Sequence, residues 1–284
     1  MPELPEVETV LRGLKRLTLG RSIMQIQVLT PGVITGPPKI FCRQVEARTI
    51  VGLERKGKVL ALSLGAKADS PSVYLLIRLG MTGQIVVSPR DAPLLPHTHV
   101  RMTLDDGCDE LRYRDSRRFG RLRYCTREEL TGIFRSLGPD ALRITEEQFR
   151  QCLRGRHGTI KGLLLNQSVI SGLGNIYADE ALFKARIHPQ TPAGRIAGRR
   201  ALHLLRSIRE VLRHAVELQG TSFRDYIDIE GRPGNFRQRL CVYQRKNEPC
   251  SRCETAIRCI RVSGRSSHFC PRCQRGPRSL ASRR

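Results

Sequence analysis

The sequence predicts an α+β multidomain protein: a strand-rich N-terminal domain led by a helix, a helical domain, and a C-terminal metal-bound β-hairpin. Three observations carry that reading. Residues 21–125 hold short apolar runs separated by Gly, Pro and Asp-Gly turns, which is the pattern of an antiparallel sandwich. From about residue 145 to 220, apolar residues recur at helical spacing. Near the end, Cys250 and Cys253 are followed by Cys270 and Cys273, two C-x2-C pairs with sixteen residues between them. At 284 residues the chain is long enough for two or three small cores. The expected domains are 1–138, ending at Gly138-Pro139, then 139–240, then 241–284.

The chain opens Met1-Pro2-Glu3-Leu4-Pro5-Glu6-Val7-Glu8-Thr9-Val10-Leu11, and Val7, Val10, Leu11, Leu14 and Leu17 share one helical face. Prolines and acids ahead of that stripe suit a helix N-terminus, whose free N–H groups carry partial positive charge. A second reading starts from Pro2. With Met1 removed, Pro2 presents a secondary amine beside Glu3 and Glu6. An α-amino group titrates near ~8, so a useful fraction is neutral at pH 7 and can attack an electrophilic carbon to form an iminium ion.

Strands are expected from Ile23, Met24, Ile26 and Val28 onward, then over residues 59–64, 72–77 and 84–87, the last two flanking Leu79-Gly80-Met81-Thr82-Gly83. Residues 99–104 and 111–113, joined by Asp105-Asp106-Gly107, read as a hairpin. Residues 126–136 add a helix. Short helices are expected over 159–166 and 176–184, separated by Ser171-Gly172-Leu173-Gly174-Asn175. A longer one, striped by Leu202, Leu205, Ile208, Leu212, Ala215 and Val216, ends at Gly220.

The formal net charge is +24 and the pI near 10.6. From residue 232 onward there are fourteen Lys or Arg against two Glu, a net of +12, so half the surplus lies in the C-terminal module. A surplus of this size points to nucleic acid, because it neutralises phosphates and releases their counterions. No apolar run is long enough to span a bilayer, no lipidation motif is present, and an acidic, proline-containing start is no secretory signal. A cytoplasmic, nucleoid-associated monomer is expected. Cys42, Cys108, Cys125, Cys152, Cys241 and Cys259 stand singly, as buried thiols do in a reducing compartment.

The paired cysteines are a different matter. Each C-x2-C pair can grip a tetrahedral metal from a tight knuckle, and sixteen residues suffice for a two-stranded hairpin between them. Two disulfides are the alternative, disfavoured in a reducing compartment. Cys250, Cys253, Cys270 and Cys273 are therefore assigned one structural Zn2+, since four thiolates leave no open position. Cys259 lies inside the hairpin at no ligand spacing. At the expected tip, Val262-Ser263-Gly264-Arg265 projects Arg265, either into a groove or onto a phosphate. Asn175 closes its glycine turn and opens a helix, either as an N-cap or as a phosphate contact.

These residues carry a resemblance. Pro2-Glu3-Leu4-Pro5-Glu6-Val7-Glu8-Thr9-Val10 is similar to the N-terminus of the formamidopyrimidine-DNA glycosylases, base-excision repair enzymes, and the likeness runs in order to Cys273. It implies a β-sandwich with the first helix laid along it. Gly174-Asn175-Ile176-Tyr177-Ala178-Asp179-Glu180 resembles the family's helix–two-turn–helix, implying that Asn175, helped by Lys161, grips phosphates around the lesion. The likeness further implies a wedge of Met81, Arg117 and Phe119 filling the space of a flipped base, with Arg117 meeting the orphaned cytosine. Lys58 matches a phosphate-binding lysine, with Lys56 as the other possible register, and His99 joins the DNA-contacting set. Residues 217–236 resemble a lesion-recognition loop, to which Glu217, Thr221, Ser222, Phe223, Arg224 and Tyr226 would belong. Gln219 departs from a common glycine there, and Asn235 from a usual aromatic. Eleven residues follow Cys273, a basic tail longer than expected.

The function so implied is excision of oxidised purines, 8-oxoguanine and formamidopyrimidines, from duplex DNA, followed by β/δ-elimination at the abasic site. Pro2 is the nucleophile, Glu3 the acid/base and Glu6 the group that positions the amine. Two readings compete. One is an endonuclease VIII-like enzyme for oxidised pyrimidines, against which Leu4 and the full-length loop argue. The other is a non-catalytic zinc-finger DNA-binding protein, against which the intact Pro2-Glu3 pair argues.

Overall fold

Helix α1 (Leu4–Thr18) starts where its proline and acids place it, with Pro5 in the first turn and Glu6 reaching back to the Glu3 backbone N–H at 2.8 Å. The computed structural model describes residues 2–66 and 73–276, so the expected strand residue Ser72 and the last eight residues of the basic tail lie outside the described residues. The buried stripe of α1 is Val7, Val10, Leu11 and Leu14, with Leu17 partly buried at its edge.

After α1 come β1 (Ser22–Val28), α2 (Pro38–Val45), β2 (Arg48–Lys56), β3 (Val59–Gly65), β4 (Val73–Arg78), β5 (Gly83–Pro89), β6 (Thr98–Leu104), β7 (Asp109–Asp115), β8 (Arg121–Cys125) and α3 (Arg127–Ser136). The strands form one antiparallel ladder in the order β5-β7-β6-β1-β2-β3-β4-β8. Ile85, Leu111 and Tyr113 from one end of the ladder share a core with Leu60, Leu62, Ile77 and Leu122 from the other. The ladder therefore closes over itself as the expected β-sandwich, with the stripe of α1 in the same core. Every residue of β4 except Arg78 is buried, which explains why it reads as a continuous apolar run rather than an alternation.

Helix α2 was not expected within this strand-rich stretch. Its signal was local: Pro37-Pro38 ahead of Phe41 and Val45, an i,i+4 pair that is fully buried.

The second half contains α4 (Glu146–Leu153), α5 (Ile160–Leu165), α6 (Asn175–Lys184), α7 (Gly198–Glu217) and the hairpin β9 (Arg258–Val262) and β10 (Arg265–Phe269). Thr145 and Gln148 form a capping box on α4, and the Thr159 hydroxyl caps α5 by accepting from the Gly162 N–H at 3.2 Å. The hairpin turn is Ser263-Gly264, with φ of 50° and 75°, the two-residue left-handed turn that suits strand twist.

The chain divides into two compact units, Met1–Ser136 with Ala215–Arg237, and Leu137–His214 with Gln238–Arg284. Residues 217–236 thus pack with the sandwich. Among the described residues, no helix is long and apolar enough to cross a membrane.

Candidate active site

In the first unit, Pro2 is buried immediately ahead of α1, and Glu3 and Glu6 are each only 1% exposed. The two oxygens of Glu6 are divided. One accepts from the Glu3 N–H, and the other accepts from the Thr221 N–H at 2.7 Å. Glu6 therefore joins the segment that carries Pro2 to the start of the 217–236 loop. Gly220 makes that contact possible: its φ is +85°, and a Cβ there would lie 2.8 Å from Glu6 Oε1. Beside it, Gln219 has φ 62°, a left-handed conformation in which glycine is the least strained residue.

The loop holds its shape by its own hydrogen bonds. The Ser222 hydroxyl donates to the Tyr226 carbonyl at 2.6 Å and accepts from the Gly234 N–H at 2.8 Å. The Val87 N–H donates to the Ile229 carbonyl at 2.9 Å, docking the loop on β5. Tyr226 is not part of an open loop wall as expected. It is 5% exposed within the sandwich core, because the ring fills apolar space and its hydroxyl reaches the Glu6 carbonyl at 3.4 Å. Phe223 and Arg224 are more accessible, with the Arg237 guanidinium 5.3 Å over the Phe223 ring.

Lys58 lies half-buried in the β2–β3 turn, and Lys56 donates to the Phe134 carbonyl. Arg55 anchors this turn to α1: its Nε meets Glu8 at 2.9 Å and its Nη1 the Gly57 carbonyl at 2.8 Å. Burial raises the Glu8 carboxyl, but Arg55 and Arg12 outweigh it and hold the group below its ordinary range.

The expected wedge residues sit on two touching turns. Gly80 and Gly120 are the touching points, since a Cβ on Gly80 would lie 2.6 Å from the Gly120 nitrogen and one on Gly120 2.0 Å from the Tyr113 hydroxyl. Phe119 is 56% exposed, an unusual place for a large apolar ring, and the Arg117 guanidinium stands 4.7 Å over it. Asp115 organises both turns. Its carboxylate accepts from the Thr82 hydroxyl, the Gly120 N–H at 2.7 Å, the Arg117 N–H at 3.2 Å and the Tyr113 hydroxyl at 3.2 Å. Burial pushes Asp115 up, yet these donors win and hold it below the usual carboxylate range. His99 is 6% exposed, with one ring nitrogen 2.8 Å from the Asp115 carbonyl and the other 2.9 Å from the Thr30 hydroxyl. In this structure it braces the Arg117 turn from inside.

Asp115 yields a pH prediction. Because its folded pKa is depressed, its stabilisation is complete above the unfolded value of about 3.9 and is lost as pH falls through the lower folded value. Asp115→Asn should cost about 1–3 kcal/mol at pH 7, where one N–H or O–H loses its acceptor. Urea unfolding of the two proteins should show that gap shrinking below about pH 4; a gap independent of pH would refute the role given to the carboxylate.

In the second unit, the sulfurs of Cys250, Cys253, Cys270 and Cys273 all lie within 4.8 Å of one another. Cys253 Sγ is 3.4 Å from Cys270 Sγ and 3.5 Å from Cys273 Sγ, and Cys250 Sγ is 4.0 Å from Cys273 Sγ. Tetrahedral zinc with Zn–S near 2.3 Å spaces its sulfurs about 3.8 Å apart, so the donor set fits one structural zinc. Arg265 is exposed at the start of β10.

Three family models match the chain in succession: the formamidopyrimidine-DNA glycosylase N-terminal domain over residues 1–122, its H2TH domain over 137–226, and a zinc finger found in these enzymes and in isoleucyl-tRNA synthetases over 247–276. The formamidopyrimidine-DNA glycosylase of Symbiobacterium thermophilum is 43% identical, covering 99% of this chain and 92% of the relative. That of Solibacter usitatus is 44% identical, over 97% of this chain and all of the relative. This chain belongs to the formamidopyrimidine-DNA glycosylase family. Among solved structures, a Lactococcus lactis family variant bound to Fapy-dG-containing DNA matches at TM-score 0.89 and 34% identity, covering 97% of this chain and 100% of that one. The same organism's enzyme with abasic-site DNA matches at 0.89 and 34%, over 96% and 100%.

Two expectations in the second unit are corrected. Lys161 is not an accessible phosphate contact: its side chain is fully buried, with Nζ 2.6 Å from Asp179 and 2.7 Å from the Ser266 carbonyl. A buried ammonium needs such a partner, and here the pair ties α5 and α6 to the zinc hairpin. Asn175 does not cap α6 either. Gly174 is the N-cap, Asn175 is the first helical residue, and its buried Oδ1 has no hydrogen-bond partner among the described residues.

Sequence reasoning missed the carboxylates that hold the second unit together. Asp179 also accepts from Ser267 at 3.1 Å and from the His268 N–H at 2.9 Å. Glu180 accepts from the N–H groups of Cys241, Val242 and Tyr243 at 2.8–2.9 Å, while burial pushes its pKa up. The available signal was two adjacent acids in a helix otherwise apolar all round from Ile176 to Phe183.

Proposed function

We propose that this chain is a bifunctional DNA glycosylase and abasic-site lyase that excises oxidised purines from duplex DNA. The observation that carries the reading is Pro2, directly ahead of α1, with the buried carboxylates Glu3 and Glu6 beside it. The names of its relatives and the Fapy-dG and abasic DNA in the matched complexes support the substrate class.

With Met1 removed, the Pro2 nitrogen attacks C1′ of an extruded nucleotide, and the C1′–base bond breaks with its electrons leaving on the base. Attack leaves the Pro2 nitrogen protonated; that proton passes to Glu3, which delivers it to the sugar-ring oxygen as the ring opens, and the freed nitrogen lone pair forms the iminium. The iminium acidifies C2′, so loss of that proton expels the 3′ phosphate, and a second elimination expels the 5′ phosphate. Glu6, with both oxygens engaged, fixes the amine relative to the loop. Lys58, Asn175 and Arg265 are assigned to phosphates, and Thr221, Ser222, Phe223 and Arg224 to the base. The exposed Phe119–Arg117 stack is the wedge, an apolar ring inserted between base steps. Zinc folds the hairpin and takes no part in these steps. The partner is duplex DNA, with nucleoid association following from it.

Arg117 should read the orphaned cytosine, whose acceptors match guanidinium donors. An unpaired buried contact costs about 1–3 kcal/mol, so excision of 8-oxoguanine should be roughly tenfold or more faster opposite cytosine than opposite adenine. In single-turnover assays Arg117→Ala should narrow that ratio and slow both substrates. Arg118→Ala should slow both alike, because Arg118 holds the turn, with φ 54° and its carbonyl accepting from Arg121 at 2.6 Å. Thymine glycol is the third substrate. A matched Lactococcus lactis complex contains an oxidised pyrimidine, and clear preference for thymine glycol here would favour the endonuclease VIII-like reading.

A further inference from the structure

Arginines gather around one depression that the proposed reaction does not use. In the second unit, Arg186, Arg200, Arg252, Arg272 and Arg275 line an open hollow of about 720 Å³ beside the zinc thiolates of Cys253 and Cys273. No carboxylate lines it. Arg252 is spoken for: its guanidinium stacks 4.3 Å over Phe183 and donates to the Phe183 carbonyl at 3.0 Å. The side chains of the other four have no hydrogen bond or ion pair among the described residues and are exposed. Zinc with four thiolates carries two negative charges, which leaves about three of the five guanidinium charges unanswered.

In the first unit a hollow of about 330 Å³ is also lined by arginines, Arg12, Arg16 and Arg232. There each one meets an acid, Glu8 at 3.0 Å, Glu230 at 2.5 Å and Asp228 at 3.0 Å. That cavity is internally neutralised, and the one beside the zinc is not.

We infer that the arginine hollow is a second DNA-binding site, which takes the phosphodiester backbone of a DNA segment other than the one held for excision. It lies at the base of the zinc hairpin, while Arg265 lies at the tip, about 16 Å away along five residues of strand. Guanidinium forks match phosphate oxygens bidentately, and an open, acid-free hollow suits a continuous polyanion. The inference rests on DNA as the partner and is independent of the cleavage chemistry. Its consequence is that one molecule can hold two duplexes, or two distant parts of one.

The test is bridging by the full-length, zinc-loaded protein. A biotinylated undamaged duplex is immobilised, loaded with protein, and offered a fluorescent second duplex across a salt series. Wild type should capture the second duplex, and Arg200→Glu/Arg275→Glu should reduce capture tenfold or more. Arg200→Ala/Arg275→Ala should make the salt dependence shallower by about two in log–log slope, as for two lost phosphate contacts. Zinc content, thermal unfolding and single-turnover excision on a short duplex should stay at wild-type values in both. Absence of capture by wild type, or capture untouched by either double variant, overturns the inference. So does a parallel loss of excision, which would place these arginines in the first DNA site. Displacement of the second duplex by poly-glutamate or inorganic phosphate at lower charge concentration than by unlabelled DNA also overturns it, in favour of an acidic protein or a free anion. Bridging by a wild type that excises nothing would instead reject the glycosylase reading and leave the second site standing.

Discussion

Borohydride, added with an 8-oxoguanine:cytosine duplex, should link this protein to DNA through the nitrogen of Pro2. The hydride reduces the iminium to an amine that cannot hydrolyse, so the covalent complex accumulates and is read on a denaturing gel. Protein that keeps Met1 should give none, because its proline nitrogen is an amide with no available lone pair. Pro2→Gly should lose most trapping. Glu3→Gln should slow ring opening, and with it formation of the trapped product, by about 10²–10⁴-fold, the usual worth of a positioned acid, and should leave binding of an abasic-site duplex near wild type. Undiminished trapping in the Met1-retaining protein would sink the proline mechanism. Glu6→Gln offers a separate readout. Its amide can still accept one of the two N–H bonds from Glu3 and Thr221 but presents N–H donors where the other arrives, so the loop and the amine should loosen together.

Removal of zinc should have the second large effect. Binding of structural zinc is worth about 10–16 kcal/mol in small zinc modules, so much of the local folding free energy belongs to the metal. Cys253→Ser should lower metal content from one zinc per chain and weaken DNA binding in the same preparations. Packing explains why the damage spreads: Cys250 and Cys270 share a small core with Phe183 of α6, Val242 and Ile257. Beyond it, the Lys161–Asp179 pair and the Glu180 carboxylate bind the hairpin and its preceding loop to α6. Cys259→Ser should leave metal content unchanged, since Cys259 is not in the sulfur cluster. A zinc-free Cys253→Ser protein that binds DNA like wild type would remove the hairpin from the interface.

The sequence by itself determined whatever depends on neighbours along the chain. The start of α1 follows from Pro5 and Glu6, the zinc ligands follow from two C-x2-C knuckles, and the hairpin turn follows from Ser263-Gly264. Each is set by local backbone chemistry, so reading a few residues suffices. Family motifs then named Pro2, Arg117 and Phe119 without any coordinates. Tertiary structure alone decided which charges face water. Lys161 and Arg265 look alike as letters in a basic chain, yet Lys161 is fully buried against Asp179 and Arg265 is exposed. The same holds for Glu6, whose second oxygen meets a backbone N–H 215 residues away at Thr221, and for Tyr226, which left the loop wall for the core. Burial and long-range pairing depend on which surfaces the fold presses together. A carboxylate or a lysine keeps its charge inside only if that distant partner arrives, and no pattern along the chain records the partner's position.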